Sequence, residues 1–259
     1  MKHLFTALTV LLVAVTSCIP LFNCIQGNGR LGTETRRPAT FTSIANATAV
    51  DVIFSESDTF GILLTAEENL LPYIITEVSG NTLEIRNKQS YGCIRFTRDP
   101  VIKVSAPFIN GITLSGSGNV TADRLTDEDI VIELSGSGNI IADRSESVYV
   151  RAKISGSGDI ILRDIDCTDA EVIISGSGDL SAAGEGTNGI FRISGSGNSF
   201  TRELVIRNST VTISGSGNLY TWTTNVLNAV ISGSGNIYLK GIPQVFSNIT
   251  GSGKIIEFK

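Results

Sequence analysis

Seven copies of Ser-Gly-Ser-Gly followed by Asn or Asp open at Ser115, Ser135, Ser155, Ser175, Ser194, Ser214 and Ser232. An eighth, degenerate copy, Thr-Gly-Ser-Gly-Lys, opens at Thr250. Start-to-start spacings are 20, 20, 20, 19, 20, 18 and 18 residues. A period of that size marks stacked units, each of which buries its apolar face only against its neighbours. Apolar residues stand one and three positions before the motif, as in Ile112 and Leu114, Ile132 and Leu134, Val172 and Ile174, Phe191 and Ile193, and Val211 and Ile213. This is strand alternation. After the Asn or Asp the pattern resumes with Val120, Ile140, Ile160, Leu180, Leu219, Ile237 and Ile255. Each motif is therefore a corner between two short strands.

The expected fold is all-β: a parallel β-helix of ~20-residue coils. Glycine enters backbone regions closed to other residues, and Ser and Asn hydrogen-bond nearby backbone as a chain turns. Coils in register about 4.8 Å apart place the eight corners over roughly 34 Å, with Ser and Asn forming ladders along the axis. The hand of parallel crossover connections favours a right-handed coil. Two charge pairs test the register: Glu133 lies 20 residues before Lys153, and Arg151 lies 20 before Glu171. As lateral neighbours, each pair contributes about 0.2 to 1 kcal/mol.

Residues 108–259 form the repeat. Residues 41–107 lack the motif but read as an irregular, β-rich N-terminal cap, with strand-like runs Val50–Phe54, Ile62–Leu64, Thr82–Ile85 and Val101–Val104. Between them Glu67 to Val78 is expected to form one short helix, with Pro72 in its first turn, where a missing N–H costs little. A parallel stack needs such a cover to stop edge-to-edge growth. No cap is evident at Ile255–Lys259, which leaves self-association open.

Lys2, an apolar run from Leu4 to Val15 and small residues before Cys18 have the layout of a secretory signal over residues 1–17. The run is too short to span a bilayer. Val15-Thr16-Ser17-Cys18 also resembles a bacterial lipobox, which makes Cys18 the expected lipid attachment site and first mature residue. Residues 18–40 hold Gly27, Gly29 and Gly32 without periodicity and read as a tether. Three cysteines then remain, Cys24, Cys93 and Cys167, and an odd number cannot all pair within one chain. The chain is expected to be an outer membrane lipoprotein of a Gram-negative-type cell envelope, with the membrane as one partner. Net charge is only −5, from 20 Lys and Arg against 25 Asp and Glu, so there is no electrostatic footprint for nucleic acid.

The lipobox-like start, Val50–Phe54, the stretch Asn69–Val78, Leu83-Glu84-Ile85, and Ala106-Pro107 leading into Leu114-Ser115-Gly116-Ser117-Gly118 resemble the putative auto-transporter adhesin, head GIN domain family. The resemblance covers about Phe41 to Lys259. It implies a secreted or lipid-anchored bacterial β-helix, and it carries no catalytic residues.

Chemistry is sparse. His3 lies in the signal, so the mature chain has no histidine for triads or most zinc sites. Asp123-Arg124, Asp143-Arg144 and Arg163-Asp164 recur at similar places in successive coils and read as a solvated charge ladder, not as paired catalytic carboxylates. The glycine motifs lack the Lys-Ser/Thr ending of a phosphate loop. Only Asp159 and Asp179 are acidic where Asn119, Asn139, Asn198, Asn218 and Asn236 are neutral, too little charge for a calcium roll. No cofactor or metal is expected.

Two positions after the Asn or Asp, pointing outward, stand Thr121, Ile141, Ile161, Ser181, Phe200, Tyr220, Tyr238 and Ile256. Phe200, Tyr220 and Tyr238 occupy consecutive coils, with Trp222 on the same side. This stripe either contacts a glycan or protein ligand or serves packing and self-association. Three functions follow: a non-enzymatic anchored adhesin presenting a glycan or protein contact surface, a self-associating envelope component, or a carbohydrate-active β-helix enzyme, which the missing histidine disfavours.

Overall fold

The computed structural model describes residues 24–88 and 93–258. The signal segment and Cys18 lie outside the described residues. The N-terminal part contains β1 (Cys24–Gln26), β2 (Leu31–Arg36), β3 (Ser43–Asn46), β4 (Asp51–Glu56), β5 (Gly61–Glu67), β6 (Ile74–Ser79), β7 (Thr82–Asn87), β8 (Cys93–Arg95) and β9 (Val101–Ala106). The repeat contains β10 (Gly111–Leu114), β11 (Val120–Thr126), β12 (Asp129–Leu134), β13 (Ile140–Ile154), β14 (Ile160–Ile174), β15 (Leu180–Ile193), β16 (Ser199–Ile213), β17 (Leu219–Ile231), β18 (Ile237–Lys240), β19 (Gln244–Ile249) and β20 (Ile255–Glu257). The fold is the expected all-β solenoid. From β10 onward every coil pairs with the next in parallel, and Glu133 faces Lys153 and Arg151 faces Glu171 as the spacing requires.

Alternation sends one set of side chains inward to build rows along the axis. Leu114, Leu134, Ile154, Ile174, Ile193, Ile213 and Ile231 form one row, and Val120, Ile140, Ile160, Leu180, Leu219 and Ile237 another, all nearly inaccessible to solvent. Burying each such side chain favours the fold by about 1.5 to 3 kcal/mol before the entropy of ordering is counted.

The corners work differently from the expectation. Among the described residues, positive φ occurs only at Gly29, Gly80, Gly184 and Gly241, none of them in the motif. The motif glycines are needed because the preceding coil occupies the space of a Cβ. A Cβ on Gly136 would collide with the Gly116 carbonyl oxygen, one on Gly138 with that of Gly118, and so on to Gly253 over Gly235. The Asn/Asp position makes the ladder: Asn139 N–H donates to Asn119 Oδ1 (3.0 Å), Asp159 N–H to Asn139 Oδ1 (2.9 Å) and Asp179 N–H to Asp159 Oδ1 (2.8 Å). It ends with Lys254 N–H on Asn236 Oδ1 (3.0 Å). Each rung needs an acceptor oxygen, so Asn and Asp interchange, and the final Lys254 only donates. The serines form almost no ladder: among the described residues a single bond links two of them, Ser252 Oγ to Ser234 Oγ at 3.2 Å.

The solenoid begins earlier than the repeat. β3 pairs with β10 and β4 with β11, so Ser43–Glu56 stacks as strand, corner and strand beneath the first glycine corner. Its own corner, Asn46 to Asp51, has no glycine and ties itself with its own side chains, Thr48 N–H on Asn46 Oδ1 (3.0 Å) and Val50 N–H on Thr48 Oγ1 (3.1 Å), while Asp51 Oδ1 accepts from Asn119 N–H at 2.7 Å. Beneath that coil lie β7 and β9, still parallel, and then β6, β5 and β2 in antiparallel pairing, which close the end.

Two expectations need correction here. The helix anticipated over Glu67 to Val78 is a single 3-10 turn, Leu71–Tyr73, holding Pro72, and the chain re-enters a strand at Ile74. β-branched Ile74, Ile75, Thr76 and Val78 suit an antiparallel pair with β7 better than a helix. The stretch read as a tether is docked from Cys24 on: β1 pairs with β8, a disulfide joins Cys24 to Cys93, and β2 lies along β5. Gly27 makes room for Glu67, and Gly29, at φ +76°, aims its N–H at it: the buried carboxylate accepts from Gly29 N–H (2.6 Å), Thr97 N–H (2.8 Å) and Thr97 Oγ1 (2.6 Å). Burial alone would raise its pKa, but the bonds from Thr97, Gly29 and Arg98 outweigh that and hold it below 4.5.

Candidate functional site

Register carries the outward positions into one continuous row. Thr121 lies beside Ile141, Ile141 beside Ile161, Ile161 beside Ser181, Ser181 beside Phe200, Phe200 beside Tyr220, Tyr220 beside Tyr238 and Tyr238 beside Ile256. At the other end it continues through Ile53, Lys103 and Leu63 to Thr35 of β2. The row thus runs from the cap to the last coil, and exposes Ile53, Leu63 and Ile256 at 38 to 39%.

The three aromatic residues are brought together as the spacing required. Phe200 and Tyr220 stack with centroids 5.1 Å apart at 24°, and Tyr220 and Tyr238 at 4.4 Å and 6°. Coil spacing imposes this parallel stacking, and it determines what the rings offer. Inside the stack both faces are occupied, so Tyr220 presents an edge and a hydroxyl. Trp222 is on the same side, but the Lys240 ammonium lies 3.7 Å from its ring centroid and covers that face.

A second outward row, two residues further along each strand, carries the Asp-Arg couples. Arg163 bonds Asp143 at 2.7 Å, while Arg124 and Arg144 both engage Glu146, at 2.6 and 2.5 Å. The hydrogen bond from Arg124 is the main cause holding the Glu146 carboxyl below its ordinary 4.5. Arg163–Asp143 and Arg124–Glu146 cross neighbouring coils, as the ladder reading expects, whereas Arg144–Glu146 lies within one strand, and such solvent-accessible pairs are worth little individually.

A tighter cluster lies on the face before the corners, and sequence reasoning saw only part of it. Glu171 accepts from Tyr149 and Arg192 and lies 3.5 Å from Arg151. Burial, then the bond to Glu171, pushes the Tyr149 hydroxyl up to about 12. Glu171 is held below 4.5, foremost by the Tyr149 bond and, against burial, by Arg192 and Arg151. Spacings of 20 to 22 residues between these four were the available signal. With every proton tightly held, the cluster cross-links coils and is poorly suited to proton transfer. Cys167 is a buried free thiol that burial, then Asp166 and Asp169, pushes up to about 12, so it is a weak nucleophile. Among the described residues no group of three or more His, Cys, Asp or Glu could hold a metal ion, and no helix is long and apolar enough to cross a membrane.

A family model described as putative auto-transporter adhesin, head GIN domain, matches residues 40–162 and again 144–243. A crystal structure described as a putative lipid binding protein from Parabacteroides distasonis is 28% identical, with a TM-score of 0.85 over 91% of this chain and 99% of that one. A putative adhesin from Parabacteroides merdae is 25% identical, with a TM-score of 0.84 and coverage of 91% and 99%. A second Parabacteroides distasonis structure, also described as a putative adhesin, is 25% identical with a TM-score of 0.84, covering 91% and 100%. No curated protein matches the sequence.

Proposed function

The chain belongs to the putative auto-transporter adhesin, head GIN domain family, and from that premise we propose that it is a non-enzymatic, lipid-anchored protein of the bacterial cell envelope whose rigid β-helix presents an adhesive surface to glycan or protein. The observation that carries this reading is the outward row from Thr35 to Ile256. It is a partly apolar, ring-bearing ladder on a scaffold too stiff to bury it by rearrangement, and exposed apolar patches on such surfaces mark contact sites.

Anchoring rests on Cys18. The Cys24–Cys93 disulfide supports export to an oxidising compartment. It also leaves only residues 19–23 between the proposed anchor and the docked chain, a reach of about 17 Å at full extension. The cap then sits at the membrane and the aromatic rungs lie towards the distal end. Mass spectrometry of the purified N-terminus tests the anchor: diacylglycerol on Cys18 is the expected result, and an unmodified terminus elsewhere refutes it. Binding of the purified protein to immobilised glycans and to cell surfaces tests the display role. Tyr220→Ala with Tyr238→Ala is expected to lower that binding while far-UV circular dichroism stays unchanged.

One observation favours self-association as a second reading. Ile242 is 98% exposed, and Phe246, Ile249 and Val245 of β19 are 52, 41 and 38% exposed. Under this reading Phe246→Asp converts an oligomer to monomer in light scattering; a wild-type monomer would exclude it.

A further inference from the structure

From Ile141 to Ile256 the outward row has one small rung. Between Ile161 and Phe200 the rung is Ser181, and in the neighbouring row the corresponding residue is Ala183. The same coil is one residue short. Leu162 faces Ala182 and Ile165 faces Gly184, so two residues of β14 oppose one of β15, while β16 regains the residue between Phe200 and Glu203. The spacing of 19 residues from Ser175 to Ser194 is the trace of this deletion in the sequence. Gly184 takes up the shortened path at φ +122°, where any Cβ would strike Ile165 backbone. Small side chains on a contracted coil leave a recess of about 290 Å³ spanning three coils.

Its walls are chemically specific. Phe200 stacks on Tyr220 with one face, and its other face looks across Ser181 into the recess. Ile161 closes the opposite side two rungs away, about 9.6 Å at the usual strand spacing. A ring placed at the Ser181 rung would sit against Phe200 as Tyr220 does and complete the ladder. Around it stand Arg163, Arg202 and Glu203. Arg163 is bonded to Asp143, while Arg202 and Glu203 are exposed and form no ion pair among the described residues. Two guanidiniums are thus balanced by two carboxylates. The site has no net charge to attract an ionic ligand, but it offers both donors and acceptors, which hydroxyl groups satisfy because they do both.

We propose that this missing rung is a binding site for one neutral pyranose ring of a glycan, with an apolar C–H face on Phe200 and hydroxyls on Arg163, Arg202 and Glu203. The inference rests on the adhesive-surface reading and gives it a ligand class and an address. A sugar needs an open ring face, and Phe200 at this gap supplies one that the closed part of the stack does not.

Saturation-transfer difference NMR on the full purified chain tests it, with methyl β-D-glucopyranoside, methyl β-D-galactopyranoside and methyl α-D-mannopyranoside as separate probes and N-acetyl-tyrosine amide as the competing ring. At least one glycoside is expected to show transfer concentrated on ring C–H protons. Ser181→Phe, which fills the rung with the ladder's own kind of side chain, is expected to abolish it. Phe200→Ala is expected to weaken it roughly tenfold, the upper end of an aromatic contact. Should either variant fold poorly by circular dichroism, Arg202→Ala with Glu203→Gln, at two exposed positions, is expected to lower transfer in the same way. Transfer unchanged in Ser181→Phe and in the Arg202/Glu203 variant, absence of transfer from all three glycosides, or transfer only from the tyrosine amide would each overturn the proposal. Cell-surface and glycan binding measured on the same samples separates the two readings. If wild type and Ser181→Phe adhere equally, the recess is discarded and the display surface stands; if wild type does not adhere, both fall.

Discussion

The coils from Gly111 to Lys254 and the cap from Cys24 to Ala106 are built of similar strands and held together in different ways. In the coils the framework is one set of contacts repeated: a buried aliphatic residue on the one below, an Asn or Asp oxygen under an N–H, a glycine where a carbonyl presses from the preceding coil. In the cap the ties are single and distant in sequence. Cys24 joins Cys93 across 69 residues, Glu67 gathers the chain at Gly29 and Thr97, and Arg36 reaches the Ile74 carbonyl at 2.7 Å and Thr76 Oγ1 at 3.0 Å. Repetition spreads a defect over interchangeable neighbours, whereas each tie in the cap is irreplaceable.

The sharpest way to break this contrast is at a corner. Gly158→Val puts side-chain carbons into the Gly138 carbonyl and is expected to cost about 4 kcal/mol or more in urea unfolding, whereas Ser157→Ala beside it changes stability by less than about 0.5 kcal/mol. Next comes the cap's covalent tie. Cys24→Ser with Cys93→Ser is expected to lower cap stability by about 3 kcal/mol, with hydrogen exchange rising in residues 24–36 and not in the coils. A smaller effect belongs to the ladder. Asn218 accepts from Asn236 N–H at 2.9 Å and donates to Asn198 at 3.0 Å, so Asn218→Ala should cost about 1 to 2 kcal/mol and Asn218→Asp, which keeps the acceptor, clearly less. The smallest is a pH effect confined to the cap. Glu67 has its folded pKa depressed below 4.5, so its contribution is fully present above the unfolded value and is lost as pH falls through the folded one. Exchange of the Gly29 and Thr97 amides should therefore accelerate on acidification from pH 6 to pH 3 beyond the intrinsic rate change, and Glu67→Gln should remove most of that dependence.

The same contrast explains what could be read from the residues alone. Coils announce themselves because one environment recurs every 18 to 20 positions, so the inward rows, the charge pairs and the outward ladder were all visible in the spacing. The first stacked corner, within Ser43–Glu56, was not, because it ties itself with its own side chains and carries Ala47, Thr48 and Ala49 in place of the glycine motif. Gly27 and Gly29 read as loose linker, since the carboxylate that one makes room for and the other donates to is some 40 positions away and leaves no local mark. The helix misreading over Glu67 to Val78 has the same origin: its pairing partner, β7, is what turns Ile74–Ser79 into a strand. At the candidate site the identity and order of the rings were legible, but not which of their faces remained free, because that depends on stacking geometry and on where the short coil falls.

Because each glycine corner answers only to the carbonyl beneath it, the reach of this molecule changes in whole steps. Duplicating or deleting about twenty codons would lengthen or shorten it by about 4.8 Å and leave every other corner its proper neighbour. Lineages can in this way tune how far such a protein stands off its surface without redesigning a single contact, and a lengthened gene product would be recognised at once by an unbroken cadence of corners.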